Sequence, residues 1–164
     1  MLLNVVLLFL HRFGPRMHPN DGRVVSNFII QCLQGMDLTV YGDGSQTRSF
    51  QYVSDLVDGL YRLMNGTYDS PVNLGNPDEY SIRDFGAKIK ELTQSTSTIQ
   101  YLPATKDDPS QRQPDITVAK RELDWEPRVP VEKGLDTTIA YFQSVLEVSG
   151  EILPTGPGAE KPRN

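Results

Sequence analysis

The run RFGPRMHPNDGRVVSNFIIQCLQG, from Arg12 to Gly35, leads almost at once into LTVYGDGSQTRSFQYVSDLVDG, from Leu38 to Gly59. The punctuation of this stretch constrains the fold more than any other part of the chain. A polar loop carrying Arg12, Arg16 and Arg23 precedes a segment, Val24 to Gln34, in which Val24, Val25, Phe28, Ile29, Cys32 and Leu33 recur at helical spacing. Gly35 is placed to stop that helix. Leu38 to Tyr41 then reads as a short strand ended by the turn Gly42-Asp43-Gly44. Ser49 to Val53 reads as a second strand. Ser54 reads as the cap of a helix in which Leu56, Val57, Leu60, Leu63 and Met64 repeat at helical spacing, with Asn65 and Gly66 closing it. Cations thus fall in loops beside helix starts, where an anion is readily held.

The remainder continues the alternation. Pro71 to Leu74 is expected to form a short strand, and Ser81 to Asp84 (SIRD) a capping box opening a helix through about Leu92. Ile99 to Leu102 reads as a strand, Thr117 to Leu123 as a short helix and Val131 to Val148 as a longer one. This is an α/β pattern without internal repeats. Residues 1–11, MLLNVVLLFLH, are apolar but shorter than the ~20 residues that a membrane span needs. They also lack the basic start and small-residue cleavage site of a signal peptide. Leu2 to Leu10 is therefore expected to be a buried parallel strand that needs neighbours. The chain divides into this apolar N-terminus, a body over residues 12–150, and a Gly- and Pro-containing tail over residues 151–164 expected to be disordered.

Charge and cysteine usage remove several classes of function. The 164 residues carry a formal net charge of −5, unlike the basic stripe of a nucleic-acid binder. Any anion bound here must be held by a local cluster. The single Cys32 excludes an internal disulfide framework, and His11 and His18 do not make a zinc spacing, so no metal is expected. Cys32 itself falls on the apolar face of its helix and reads as a core residue.

Arg48 begins a strand, where a guanidinium can reach a diphosphate bidentately as Lys cannot. Alone it would read as a surface Arg. With Arg16 and Arg23 in the preceding loop, Asn73 in VNLGN and Arg112 in DDPSQRQPD, it resembles the rim of an anion site. Asp107 and Asp108 read as capping or solvated residues rather than an acid/base pair. His18, among the turn formers Pro19, Asn20, Asp21 and Gly22, reads as structural, and Trp125 as the residue packing the short helix on the core. The tyrosines are too scattered for a stacking platform.

RFGPRMHPNDGRVVSNFI, LTVYGDGSQTRSFQYVSDLVDGLYRLMNG, SPVNLGNPDE and DDPSQRQPDI resemble the C-terminal half of the UDP-glucuronate decarboxylases, or UDP-xylose synthases, of the extended short-chain dehydrogenase/reductase family. The likeness runs from about Arg12 to Val148. YGDGSQTR followed by an aromatic strand and VSD is shared with sugar-nucleotide dehydratases and epimerases, whereas RMHPNDGRVVSNF is more particular to the decarboxylases. The resemblance implies NAD as cofactor and UDP-glucuronate, or another UDP-sugar, as ligand. Oxidation at C4 would make a β-keto acid, carbon dioxide would leave, and reduction would give UDP-xylose. It also implies that Val40, Tyr41, Arg48, Asn73 and Arg112 contact the sugar nucleotide, with Arg48 in an electrostatic role beside the carboxylate and diphosphate. His18 and Arg23 would belong to the loop closing near the cofactor.

The departures bear on activity. No GxxGxxG precedes His11, and none of the seven Tyr is followed four residues later by Lys, so the family's YxxxK pair is not in this chain. The expectation is a C-terminal substrate-binding portion with the last Rossmann elements, its N-terminal Rossmann half missing, and inactive alone. The alternatives are a non-catalytic UDP-sugar-binding or regulatory module that docks onto full-length subunits, and, within the family, a dehydratase or epimerase. Family members occur in the cytosol and, with a membrane anchor, in the Golgi. The chain as given would be cytoplasmic.

Overall fold

The computed structural model describes residues 12–19, 21–104 and 111–149. In chain order these form β1 (Arg12–Phe13), α1 (Val24–Leu33), β2 (Leu38–Tyr41), β3 (Thr47–Ser49), β4 (Gln51–Tyr52), α2 (Val53–Asn65), β5 (Glu79–Ser81), α3 (Ile82–Thr93), β6 (Ile99–Leu102), α4 (Thr117–Leu123) and α5 (Val131–Ser149). The strands pair two by two. β1 lies parallel to β4, β2 parallel to β6, and β3 antiparallel to β5. Parallel pairing requires a long crossover. α1 lies within the crossover from β1 to β4, and α2 and α3 within that from β2 to β6.

α1 is buried on nearly every side: Ser26, Asn27, Ile30 and Gln31 join the apolar stripe in the interior. A helix so enclosed must satisfy its polar side chains internally. Gln31 does so through Thr39, its Nε2 donating to Oγ1 at 3.0 Å and its Oε1 accepting from the Thr39 N–H at 3.2 Å. At the C-terminus Met36 N–H reaches the Gln31 carbonyl at 2.8 Å and Gly35 N–H the Cys32 carbonyl at 3.3 Å. This double closure turns the chain through Gly35 at φ 67°. The expected capping acceptor of α3 is present, with Ser81 Oγ accepting from the Asp84 N–H at 3.0 Å.

Two apolar clusters result. The larger joins Phe13, α1, Val40, Phe50, α3 and α5, and includes Phe50 stacked on Phe85 with centroids 3.7 Å apart. The smaller joins Leu56 and Leu63 of α2 to Val72, Leu74, Ala119 and Trp125. Trp125 does pack the short helix on the core. Its indole N–H donates to the Asp55 carbonyl at 2.9 Å, and the Asp55 carboxylate accepts from the Val129 N–H at 3.0 Å.

Three local expectations need correction, and one strand is new. Ser49 to Val53 is not one strand: Phe50 interrupts it, β3 and β4 take different partners, and Val53 already belongs to α2. Ser54 is inside that helix rather than its cap, which is Tyr52 without a side-chain cap bond. Pro71 to Leu74 has the alternating burial of a strand but pairs with no strand among the described residues, its alternation reflecting the packing of Val72 and Leu74 on the smaller cluster. Glu79–Ser81 is a strand the sequence did not suggest. The strand expected over Leu2 to Leu10 and the tail 151–164 lie outside the described residues, and no helix among those described is long and apolar enough to cross a membrane.

Cys32 is buried, and that burial pushes its thiol pKa up against the opposing hydrogen bonds of Thr93 and Ser95. Only the thiolate reacts readily. The native chain is expected to resist alkylation by iodoacetamide at pH 8 and to react fully in urea, as mass spectrometry would read. At Gly59 an added Cβ would lie 2.8 Å from Leu74 Cδ1 and 3.0 Å from Trp125 Nε1. Overpacking outweighs the better helix propensity of Ala. Gly59→Ala is expected to cost about 1–3 kcal/mol in thermal unfolding.

Candidate functional site

Between β1 and α1 the chain makes a tight turn. Met17 N–H donates to the Gly14 carbonyl at 3.3 Å, Pro15 presets the first corner, and Arg16 occupies the second at φ 66°. That left-handed position normally favours Gly, so placing Arg there stores backbone strain. Gly14, at φ 156°, lies so close to the start of α2 that a Cβ would come within 2.5 Å of Val53 Cγ1. The turn and the α2 start thus enclose a cleft of about 350 Å³ lined by Arg12, Arg16, His18, Asp21, Arg23 and Val53 among others. Three guanidinium groups against one carboxylate give the cleft a net positive lining in a chain of net charge −5.

Asp21 is committed to holding this loop. Its Oδ1 accepts from the Arg23 N–H at 3.0 Å and from Ser26 Oγ at 2.7 Å, while its Oδ2 lies 3.4 Å from Arg23 Nε. Arg23, the N-cap of α1, has no side-chain cap bond of its own. Asp21 therefore supplies both the acceptor at the helix start and the negative charge favoured there.

The residues expected from sequence form two groups. Arg16, His18 and Arg23 share the cleft with Arg12 of the same polar loop, and Gly14 joins them although a glycine carries no signal before the turn is seen. Arg48, Asn73 and Arg112 do not line it. Arg48 is only 4% exposed, in β3, with Nη1 donating to the Thr47 carbonyl at 2.7 Å. Arg112 is exposed in the segment before α4, and Asn73 Nδ2 donates to the Asp115 carbonyl at 3.1 Å, joining that segment to VNLGN. Val40 is buried in the larger cluster, so a ligand could meet only its backbone. Tyr41 beside it is half-buried, and its carbonyl accepts from Gln46 Nε2 at 2.8 Å. Asp107 and Asp108 lie outside the described residues.

Dinucleotide binding needs backbone N–H groups clustered at a glycine-rich helix start for the diphosphate. The cleft offers instead the cations of Arg12, Arg16 and Arg23, while the close approach at Gly14 is taken up by Val53 of the chain itself. No glycine-rich turn opens a helix among the described residues. Nor does any group of His, Cys, Asp and Glu among them form a metal site.

If Asp21 organises the loop, Asp21→Ala is expected to cost about 1 kcal/mol in urea unfolding and Asp21→Asn, which keeps an acceptor, less. Equal losses from the two variants would show that charge rather than the hydrogen bonds sets its contribution.

The profile of the family described as GDP-mannose 4,6 dehydratase matches residues 1–138. The chain is 64% identical over 135 residues to UDP-glucuronic acid decarboxylase 1 of Danio rerio, covering 82% of this chain and 32% of that protein. It thus spans about a third of the length of that relative. Among solved structures, UDP-glucose 4-epimerase of Thermotoga maritima with UDP-glucose superposes with a TM-score of 0.83 at 31% identity, over 87% of this chain and 46% of that one. UDP-glucuronic acid 4-epimerase of Bacillus cereus, in complex with UDP-glucuronic acid and NAD, gives 0.80 at 27%, over 86% and 45%. The fold is therefore the α/β fold of the extended epimerases and dehydratases. With most of its length matched by one profile, the chain belongs to the GDP-mannose 4,6 dehydratase family.

Proposed function

We propose that the chain is the sugar-nucleotide-binding portion of a UDP-glucuronate decarboxylase, inactive by itself. The observation that carries this is the 64% identity to the Danio rerio decarboxylase, against 27–31% to the epimerases of similar fold. The two clusters of cations support it. Arg112 and Arg48 would hold the diphosphate and sugar carboxylate, and the loop bearing His18 and Arg23 would close on the cofactor. NAD, when bound, would accept hydride from C4 of the glucuronosyl ring and later return it. The ketone at C4 makes loss of carbon dioxide easy because the electron pair left behind is delocalised into the carbonyl. A fixed guanidinium nearby stabilises the resulting enolate. The chain as given has no YxxxK pair to carry the proton from the C4 hydroxyl.

A second reading, a non-catalytic module that binds UDP-sugars or docks onto full-length subunits, shares the same ligand site. It is favoured by the exposure of Val57, Tyr61 and Met64 at helical spacing along α2.

Calorimetric titration of the 164-residue chain with UDP and with UDP-glucuronate tests the ligand. Both are expected to bind, and Arg112→Ala to weaken UDP about tenfold, as loss of a charge-assisted bond would. No UDP-xylose is expected when NAD is added. Failure of a folded chain to bind either ligand would sink the reading, and UDP-xylose formation would sink the claim that the chain is inactive alone.

A further inference from the structure

The segment carrying Arg112 is tethered at alternate residues to the stretch from Asn73 to Glu79. Gln111 Nε2 donates to Glu79 Oε2 at 2.7 Å, Gln113 Nε2 to the Pro77 carbonyl at 2.8 Å, and Asn73 Nδ2 to the Asp115 carbonyl at 3.1 Å. The two stretches run in opposite directions and are joined by side chains rather than by a backbone ladder. Asp115 also anchors the far end, because its Oδ1 accepts from the Thr117 N–H at 2.9 Å at the start of α4.

Glu79 differs from the other tethers in using both carboxylate oxygens on two different elements. Oε1 accepts from Thr47 Oγ1 at 2.7 Å while Oε2 holds Gln111. Thr47 precedes Arg48 and Gln111 precedes Arg112, so one half-buried carboxylate spans the neighbours of both cations assigned to the ligand. β5 places it there by pairing Glu79 with Ser49 across the antiparallel ladder. Fixing a loop before the ligand arrives reduces the ordering cost of binding.

We propose that Glu79 is a positioning residue that sets Arg112 against the Arg48 strand for a nucleoside diphosphate, by bridging Thr47 and Gln111. This rests on the sugar-nucleotide reading for its ligand but not for the bridge itself. The hydrogen bonds, rather than the charge, carry the function. Glu79→Gln can preserve both, since an amide oxygen can accept from Gln111 and an amide nitrogen can donate to the Thr47 hydroxyl. Glu79→Ala removes both.

The test uses the 164-residue chain with two readouts. Tryptic cleavage after Arg112 reports the local order of the segment, with cleavage elsewhere in the chain as the measure of general unfolding. Calorimetry with UDP reports the consequence for the ligand. Glu79→Ala is expected to speed cleavage after Arg112 about tenfold while other sites stay unchanged, and to weaken UDP about fivefold. Glu79→Gln should stay within about twofold of the parent in both, and Glu79→Ala should have no further effect on affinity once Arg112 is Ala. Cleavage after Arg112 unchanged by Glu79→Ala overturns the bridge. Gln as damaging as Ala overturns the hydrogen-bond account, and full additivity with Arg112→Ala overturns the link to Arg112. A parent chain that binds no UDP refutes the ligand, and with it this role of Glu79, while the cleavage rates still decide separately whether the bridge holds the segment.

Discussion

Phe50 is the residue on which the two halves of the molecule turn. Its ring is fully buried and stacked on Phe85 of α3, and its carbonyl accepts from Asn76 Nδ2 at 3.1 Å. Anchored on both sides, it ends β3 and lets β4 leave with a different partner. Arg48 before it then belongs to the antiparallel pair with β5, and Tyr52 after it to the parallel pair with β1. The stacked rings hold by apolar burial, which has no preferred direction. The Asn76 bond supplies the direction that burial lacks.

What could be seen in the sequence follows from how local each cause is. α1, α3, α4 and α5 were legible because their stripes repeat within a few residues, and because Gly35 and Ser81 act on groups at most five positions away. The break at Phe50 was not, since it depends on partners at Phe85 and Asn76 that are distant in the chain. Pro71 to Leu74 misled for the same reason. Its alternation records packing of Val72 and Leu74 on the smaller cluster, and alternation specifies which side faces the interior without specifying that another strand lies alongside. Ser54 misled differently. A Ser before an apolar run is a cap only if the backbone has not already turned helical, and the apolar Val53 had already entered the helix.

The site was legible in part on the same terms. The side chains of Arg16, His18 and Arg23 stand within a short run of turn formers, so their meeting in one cleft follows from local chain reversal. Arg48, Arg112 and Asn73 had to be joined across long separations. The structure links Asn73 to the segment of Arg112 and places Arg48 in the strand that Glu79 bridges to it. Glu79 itself gave no sign: an acid in NPDEY reads as a solvated turn residue until β5 is seen to pair with β3.

The two cation groups are separate in space but not in mechanics. Arg48 and Val53, which lines the cleft, are five residues apart along the chain, and Phe50 stands between them. Cations in an acidic chain repel one another and are screened by salt, so neither group would assemble by attraction alone. Each is instead held by neutral or acidic partners: Asp21 fixes the Arg23 loop, and Glu79 fixes the segment of Arg112. The core fixes the distance between them through β3, Phe50 and β4. In the proposed reading, where one group meets the sugar nucleotide and the other the cofactor, that distance sets the approach of the two ligands. The packing of Phe50 would then matter to the chemistry without Phe50 touching either of them.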